Sequence, residues 1–190
     1  MLKKCRYLPR LETERLILRE LSPKDTDDLK EWITEDDIYT YWGRPANEDE
    51  KDPELFFTDP DPGKKHRLTS DYIWWIELKS THKVIGQIEV YDVKDKRFGM
   101  IGYRIAPKLW NTGICTESIN RVIEFVFSET GIDRLQANVD VRNTASNRAL
   151  EKCGFIHEGT VRHGKMVSMY CDYNIWGLIR DDVTSMRERK

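Results

Sequence analysis

The chain has 190 residues, a length suited to one compact domain. Its 31 basic and 33 acidic side chains nearly cancel, leaving a net charge of -2 and no global field toward nucleic acid or an anionic membrane. Hydrophobic residues make up 39%, enough for a core, yet charges interrupt every apolar run well before the roughly 18–20 residues a membrane helix needs.

Residues 1–10 are basic but lead into no apolar stretch of secretory type, so a cytoplasmic address is expected. In ERLILREL, residues 14–21, Leu16 and Leu18 nearly alternate, which predicts a first strand. Ser22 and Pro23 then predict a helix start: Ser22 as N-cap, Pro23 at the first helical position, and Asp25 completing a box-like pattern. Leu29, Trp32 and Ile33 give that helix its apolar stripe. Residues 47–63, NEDEKDPELFFTDPDPG, read as a long acidic loop with a helical turn around residues 54–57.

Residues 72–79 and 83–92 are aromatic and β-branched runs that predict a hairpin around Ser80, Thr81 and His82, with another strand at 98–106. A helix follows over 113–128, where Ile119, Val122, Ile123 and Val126 recur at helical spacing. Beyond Gly131, Leu135, Ala137, Val139 and Val141 alternate in a strand over 134–141. Asn143 starts a helix that runs to Cys153 and stops at Gly154, and two strands at 155–162 and 166–178 close the chain. No repeat or linker divides it, so the pattern points to an α/β or α+β domain on one mixed sheet.

The segment from Arg104 to Glu117, RIAPKLWNTGICTE, carries a strand through a turn into a helix that begins at glycine. Unpaired amides and the positive end of the helix dipole make such a junction an anion site. It is neither a Walker loop nor a dinucleotide fingerprint, since G-x-x-x-x-G-K-[ST] and G-x-G-x-x-G are both absent. In the second segment, residues 143–155, Asn143 is explained as a cap. Ser146 and Asn147 sit in a first helical turn, where short polar side chains cost propensity unless they bond something. The cysteines at 5, 115, 153 and 171 form no C-x-x-C pair and have no histidine at ligand spacing; they read as reduced thiols, with no metal expected.

This succession of strand, glycine-turn helix, strand and Asn-started helix closing on Lys152-Cys153-Gly154-Phe155 resembles the GNAT superfamily of acyl-CoA N-acyltransferases. It is most similar to the RimJ/RimL-like branch, which acetylates α-amino groups of ribosomal proteins and other amines. Glu12-Thr13-Glu14-Arg15-Leu16-Ile17-Leu18-Arg19 is similar to that branch's E-T-x-R-L-x-L-R start. Ile101-Gly102-Tyr103, then Pro107 and Trp110, resembles its I-G-Y…P…W-G-x-G-x-A-T-E run. The resemblance implies an acetyltransferase domain over residues 10–180, with terminal extensions at 1–9 and 181–190, and a mixed sheet of about six to seven strands flanked by helices.

The resemblance also implies acetyl-CoA as donor. Its pyrophosphate would lie on the amides of Thr112, Gly113, Ile114, Cys115 and Thr116 beside Trp110 and Asn111, its pantetheine arm along the strand ending at Ile105, and its thioester facing Asn143 and Ser146. Asn111 stands where the branch usually has glycine, Thr112 where a basic residue is common, and Cys115 in place of Gly or Ala. A helix start can lower a thiol's pKa, but Cys115 occupies a packing position of the motif and the family transfers acetyl directly.

Acetyl transfer needs a neutral amine, a polarised carbonyl and a proton for the departing thiolate. A lysine amine titrates near 10.4 and an α-amine near 7.7–8.0, so an enzyme for α-amines can work with a weak base. Where relatives carry a glutamate base and a tyrosine acid, this chain has Met100, Asn138 and Leu150. Ser146 is then the expected proton donor, Asn138 a holder of a relay water and Glu89 a base, with an amide at a strand bulge near Ile105 polarising the carbonyl.

Glu48, Asp49, Glu50, Asp52, Glu54, Asp59 and Asp61 would either steer a cationic amine or simply face solvent, and Trp42, Trp74 and Trp75 would line an acceptor cleft or pack the core. His66, His82, His157 and His163 show no catalytic pairing. The expected activity is transfer from acetyl-CoA to a protein N-terminal α-amine or a small cationic amine, without a covalent enzyme intermediate. The alternative is a non-catalytic acyl-CoA sensor or partner-binding module. The expected partners are the donor, the amine and a second copy of the chain through its final strand, with no membrane and no nucleic acid.

Overall fold

The computed structural model describes residues 8–42, 51–56 and 70–188. Strands are β1 (Leu11–Glu12), β2 (Leu16–Arg19), β3 (Ser70–Leu78), β4 (Lys83–Lys94), β5 (Phe98–Ile105), β6 (Arg134–Asp140), β7 (Ile156–Met166) and β8 (Met169–Ile179). Helices are α1 (Thr26–Lys30), α2 (Ile114–Glu129), α3 (Thr144–Lys152) and α4 (Arg180–Glu188). The strands form one eight-stranded sheet in the order β1-β2-β3-β4-β5-β6-β8-β7, antiparallel except where β5 meets β6. This exceeds the expected strand number because the opening segment folds back on itself: Thr13 donates its N–H to Leu16 O and makes β1 and β2 a short hairpin.

The elements form for the reasons the sequence offers. Ser22 and Asp25 make the reciprocal capping box, and Pro23 takes the first position. The helix they start differs from expectation: a 3-10 turn, Pro23–Asp25, leads into α1, which ends at Lys30 before reaching Trp32 and Ile33. Along α2 the predicted stripe of Ile119, Val122, Ile123 and Val126 is buried, and in β6 Leu135, Ala137 and Val139 face the same core. The 181–190 extension is largely α4, a helix beyond the elements expected. Its Arg180 donates to Phe127 O, Thr130 O and Ile132 O and so ties the chain end to the end of α2. Among the described residues no helix is long and apolar enough to cross a membrane.

Two cores lie on opposite faces of the sheet. One contains α2, α3 and residues such as Trp74, Ile88, Ile101 and Leu150. The other holds Leu29, Trp32, Ile33, Tyr39 and Trp75 under α1 and the following 3-10 turns. Trp74 and Trp75 are both core residues, one on each face.

The feature that positions the site is the junction of β5 and β6. Their parallel ladder spans only Phe98↔Arg134 to Met100↔Gln136, although β5 continues to Ile105 and β6 to Asp140. Beyond it, β5 stays registered with β4 and β6 with β8. Each half of the sheet therefore keeps its own partner, and a wedge opens between them.

Candidate active site

At the open end of the wedge, β5 passes through a 3-10 turn, Pro107–Leu109, into α2. Asn111 and Gly113 take positive φ, 63° and 82°, which turns the backbone back on itself at the helix start. Gly113 is the N-cap and no side chain caps the helix; its first amide bond is Glu117 N to Gly113 O. Among the described residues no acceptor within the protein takes an N–H from Asn111 through Thr116. Thr112 turns its hydroxyl back onto Leu109 O at 2.6 Å, leaving the amides clear. Trp110 is exposed and donates its indole N–H to Ile105 O at 2.8 Å, closing the turn.

A cation reaches this notch from a distant part of the chain. Glu117 in the first turn of α2 accepts from Thr13 Oγ1 at 2.5 Å, Arg15 N at 3.0 Å and Arg15 Nε at 2.6 Å. Arg15 Nη1 in turn donates to Thr112 O at 3.0 Å, and a side chain at Gly113 would begin 3.4 Å from its Nη2. Burial pushes the Glu117 carboxyl up, but the bonds from Thr13 and Arg15 outweigh it and hold the group below its ordinary value. Arg15 and Glu117 thus bring a neutral ion pair, with the guanidinium against Thr112 O, to this notch from the approach to β2.

Along the wedge, Ala106 N bonds Ile85 O at 2.8 Å, so antiparallel alternation turns the N–H and C=O of Ile101, Tyr103 and Ile105 away from β4 and toward the gap. The β4–β5 register is unbroken from Gly86↔Ile105 to Tyr91↔Met100, and the irregularity beside Ile105 lies in the β3–β4 ladder, where Ile85 is the extra residue between Ile76↔Gly86 and Glu77↔Val84. The side of Ile105 that faces the gap comes from ordinary alternation and from the end of the β6 ladder.

The sequence profile described as "Acetyltransferase (GNAT) domain" matches residues 15–156. The chain belongs to the GNAT acetyltransferase family. It is 35% identical to the uncharacterized N-acetyltransferase YoaA of Bacillus subtilis (strain 168) over 156 residues, 81% of this chain and 86% of YoaA. In fold it is similar to the ribosomal-protein-S5-alanine acetyltransferase of Vibrio fischeri, with TM-score 0.74, 20% identity, and 92% and 98% of the two chains covered. It is also similar to the spermidine N-acetyltransferase of Vibrio cholerae solved with CoA and spermine, with TM-score 0.72, 20% identity, and 90% and 99% covered. As a member of the GNAT family the chain is an N-acetyltransferase, and enzymes of the family use acetyl-CoA.

On this GNAT scaffold the expected residues fall on both faces of the sheet. Asn143 caps α3, accepting from Ser146 N at 3.1 Å. Ser146 Oγ lies 2.8 Å from the hydroxyl of Tyr103 on β5, which spans the wedge. Glu89 and Asn138 lie on the opposite face: Glu89 pairs with Gly102 across β4 and β5, with its Oε1 3.3 Å from where a side chain at Gly102 would start. Asn138 is exposed and accepts from Gln136 Nε2 at 3.1 Å. The carboxylate and the serine are therefore on opposite sides of the gap, and the fold does not join them. Met100 and Leu150 are buried packing positions, which accounts for the missing acid and base.

Cys115 contacts no base, and burial, with Cys153 nearby, pushes its thiol up to about 12, the wrong direction for a nucleophile. Of the acidic loop, Asp52 and Glu54 are exposed, and the expectations for Glu48, Asp49, Glu50, Asp59 and Asp61, with His66, lie outside the described residues. His82 meets Glu77 at 3.1 Å and His157 meets Asn174 at 3.1 Å, both away from the wedge.

Sequence reasoning missed three groups. Tyr103 was visible only as part of a motif; its alternation with Gly102 and Arg104 was the available signal that it faces α3. Asn147, whose polarity in a helix looked costly, donates to Asp140 O and Asn143 O and accepts from Asn174 and Trp176, fixing α3 to β8. Arg104 is buried beside the Trp32, Tyr39 and Trp75 rings, on the face of the sheet opposite α3. It donates to Gln87 Oε1 at 2.9 Å, and its guanidinium lies 5.4 Å from the Trp42 ring centre and 5.7 Å from that of Trp32.

Proposed function

We propose that the chain acetylates a primary amine of the protein N-terminal type, or a small cationic amine, with the acetyl-CoA diphosphate lying on the bare amides of Asn111 to Thr116. Those unpartnered N–H groups at the mouth of the wedge are the observation that carries the reading. The pantetheine arm would follow the free edge of β5 up to Ile105, placing the thioester between Ser146 on one face and Glu89 and Asn138 on the other. The amine adds to the thioester carbonyl from the Glu89 side to give a tetrahedral intermediate, which collapses with loss of the thiolate beside Ser146. Glu89, or water held by Asn138, removes the amine proton, and Ser146 donates a hydrogen bond to the sulfur as negative charge builds there. A carboxylate or a held water is a weak base, which suits an α-amine better than a lysine.

A panel of N-terminal peptides, polyamines and aminoglycosides with acetyl-CoA, read by mass spectrometry and by released thiol, tests the acceptor. Acetylation at the α-nitrogen of a peptide supports the reading; turnover confined to lysine side chains removes it. Ser146→Ala is expected to lower kcat by about 100-fold while leaving KM for acetyl-CoA within about twofold. Steady-state kinetics would remove Ser146 from the mechanism if kcat stayed at the wild-type value.

A further inference from the structure

The hydroxyl of Ser146 has one hydrogen, and its direction decides whether it serves the departing sulfur. A serine in a first helical turn ordinarily returns that hydrogen to a carbonyl three or four residues back. Here the carbonyl three back, Asn143 O, already accepts from Asn147 N at 3.1 Å and from Asn147 Nδ2 at 2.8 Å, so both its lone pairs are taken. The carbonyl four back, Arg142 O, accepts from Thr144 N at 2.9 Å. Among the described residues the Ser146 hydroxyl has one side-chain neighbour, Tyr103 Oη at 2.8 Å. Tyr103 Oη also lies 3.5 Å from Ser146 O, too far to compete with the 2.8 Å contact, and of the two hydroxyls the phenol is the better donor, because its oxygen lone pairs are drawn into the ring. Burial pushes the Tyr103 phenol well above its ordinary value, so it keeps its proton throughout the neutral range.

We propose that Tyr103 is a positioning residue for acetyl transfer: its O–H donates to Ser146 Oγ, occupies the lone pair that faces β5, and leaves the serine hydrogen aimed into the wedge. This rests on the proposed placement of the thioester beside Ser146. When the C–S bond breaks, its electron pair stays on sulfur and the serine hydrogen bond stabilises the thiolate. Tyr103 strengthens that bond by polarising the serine oxygen. The proton that finally neutralises the thiolate comes from water, and neither hydroxyl is consumed. Asn147 contributes from the other side by filling the carbonyl to which Ser146 would otherwise return.

Tyr103→Phe removes one oxygen and keeps the ring. The expected result is a kcat about tenfold below wild type, KM for acetyl-CoA within about twofold, and a melting temperature within about 2 °C. In Tyr103→Phe/Ser146→Ala the losses should not multiply: the double variant should match Ser146→Ala alone, because Tyr103 acts only through the serine. A purely packing role predicts the reverse, a fall in melting temperature with kcat losses that multiply, and would overturn the proposal, as would wild-type kcat in Tyr103→Phe. Should Tyr103→Phe fold poorly, 3,5-difluorotyrosine at position 103 offers the same ring with a stronger donor. It should change kcat by about twofold or more at constant KM, and an unchanged kcat would count against the proposal. Absence of acetyl-CoA turnover in the wild-type protein would overturn the acetyl-transfer reading itself, an outcome distinct from wild-type turnover that is insensitive to Tyr103.

Discussion

Arg19→Met is expected to destabilise the fold by about 3–5 kcal/mol, because it leaves two enclosed carboxylates without their counter-charge. Arg19 donates to both oxygens of Asp25 at 2.8 Å and from Nε to Glu77 at 2.6 Å, linking β2 to the first helical turn and to β3. Asp25 and Glu77 are buried, and Asp25 also accepts from Ser22 N at 2.8 Å in the capping box. Burial alone would raise both carboxyls; the hydrogen bonds and charge of Arg19, with Ser22 N for Asp25 and His82 for Glu77, outweigh it and hold both below their ordinary values. A carboxyl whose folded pKa is depressed contributes stability that is fully present above its unfolded value, near pH 4, and lost as pH falls through the folded value. In the variant the sign reverses, since unpaired buried carboxyls favour their protonated forms. Urea unfolding of wild type and variant should therefore show a large gap at pH 7 that begins to narrow above about pH 4, as the variant's carboxyls take up protons, and closes further below it as the wild-type pairs are lost. A gap under about 1 kcal/mol at pH 7 would show that the network contributes little.

Arg15→Met is expected to weaken acetyl-CoA binding about tenfold by calorimetry, with a modest effect on stability because the Arg15 side chain is 44% exposed. The variant bares the Glu117 carboxylate in the first turn of α2, where the proposed site receives a diphosphate. Glu117→Gln added to Arg15→Met removes the offending charge and should recover most of the affinity. Equal affinity in Arg15→Met and wild type would place the diphosphate elsewhere; loss without recovery in the double variant would assign Arg15 a direct contact instead.

Periodicity in the sequence was enough to locate α2 and β6, because each buries one regular face. Cap and stop signals located α3, and composition with turn signals located the other strands from β3 onward, including β7, none of whose residues is buried. Periodicity misjudged the first helix, since Trp32 and Ile33 are buried from a non-helical turn as readily as from a helical one. It could not anticipate where β5 and β6 part. That depends on each strand keeping a different neighbour, a property of the sheet's order rather than of either segment. The notch proposed for the diphosphate was legible as a backbone turn from Gly113 and the helix that follows it. The Arg15–Glu117 clamp and the Tyr103–Ser146 pair were not, because residues of such different chain position meet only once the sheet is assembled.

In the proposed complex, acetyl-CoA is held by the main-chain amides at Gly113. Calorimetric titration of the wild-type protein and Gly113→Val with CoA tests it most directly, since a β-branched side chain at a φ of 82° both strains the turn and intrudes on the notch. The account predicts one CoA per wild-type chain and no measurable binding by a Gly113→Val protein whose circular dichroism remains native. Equal binding by the two proteins, or none by the wild type, would contradict it.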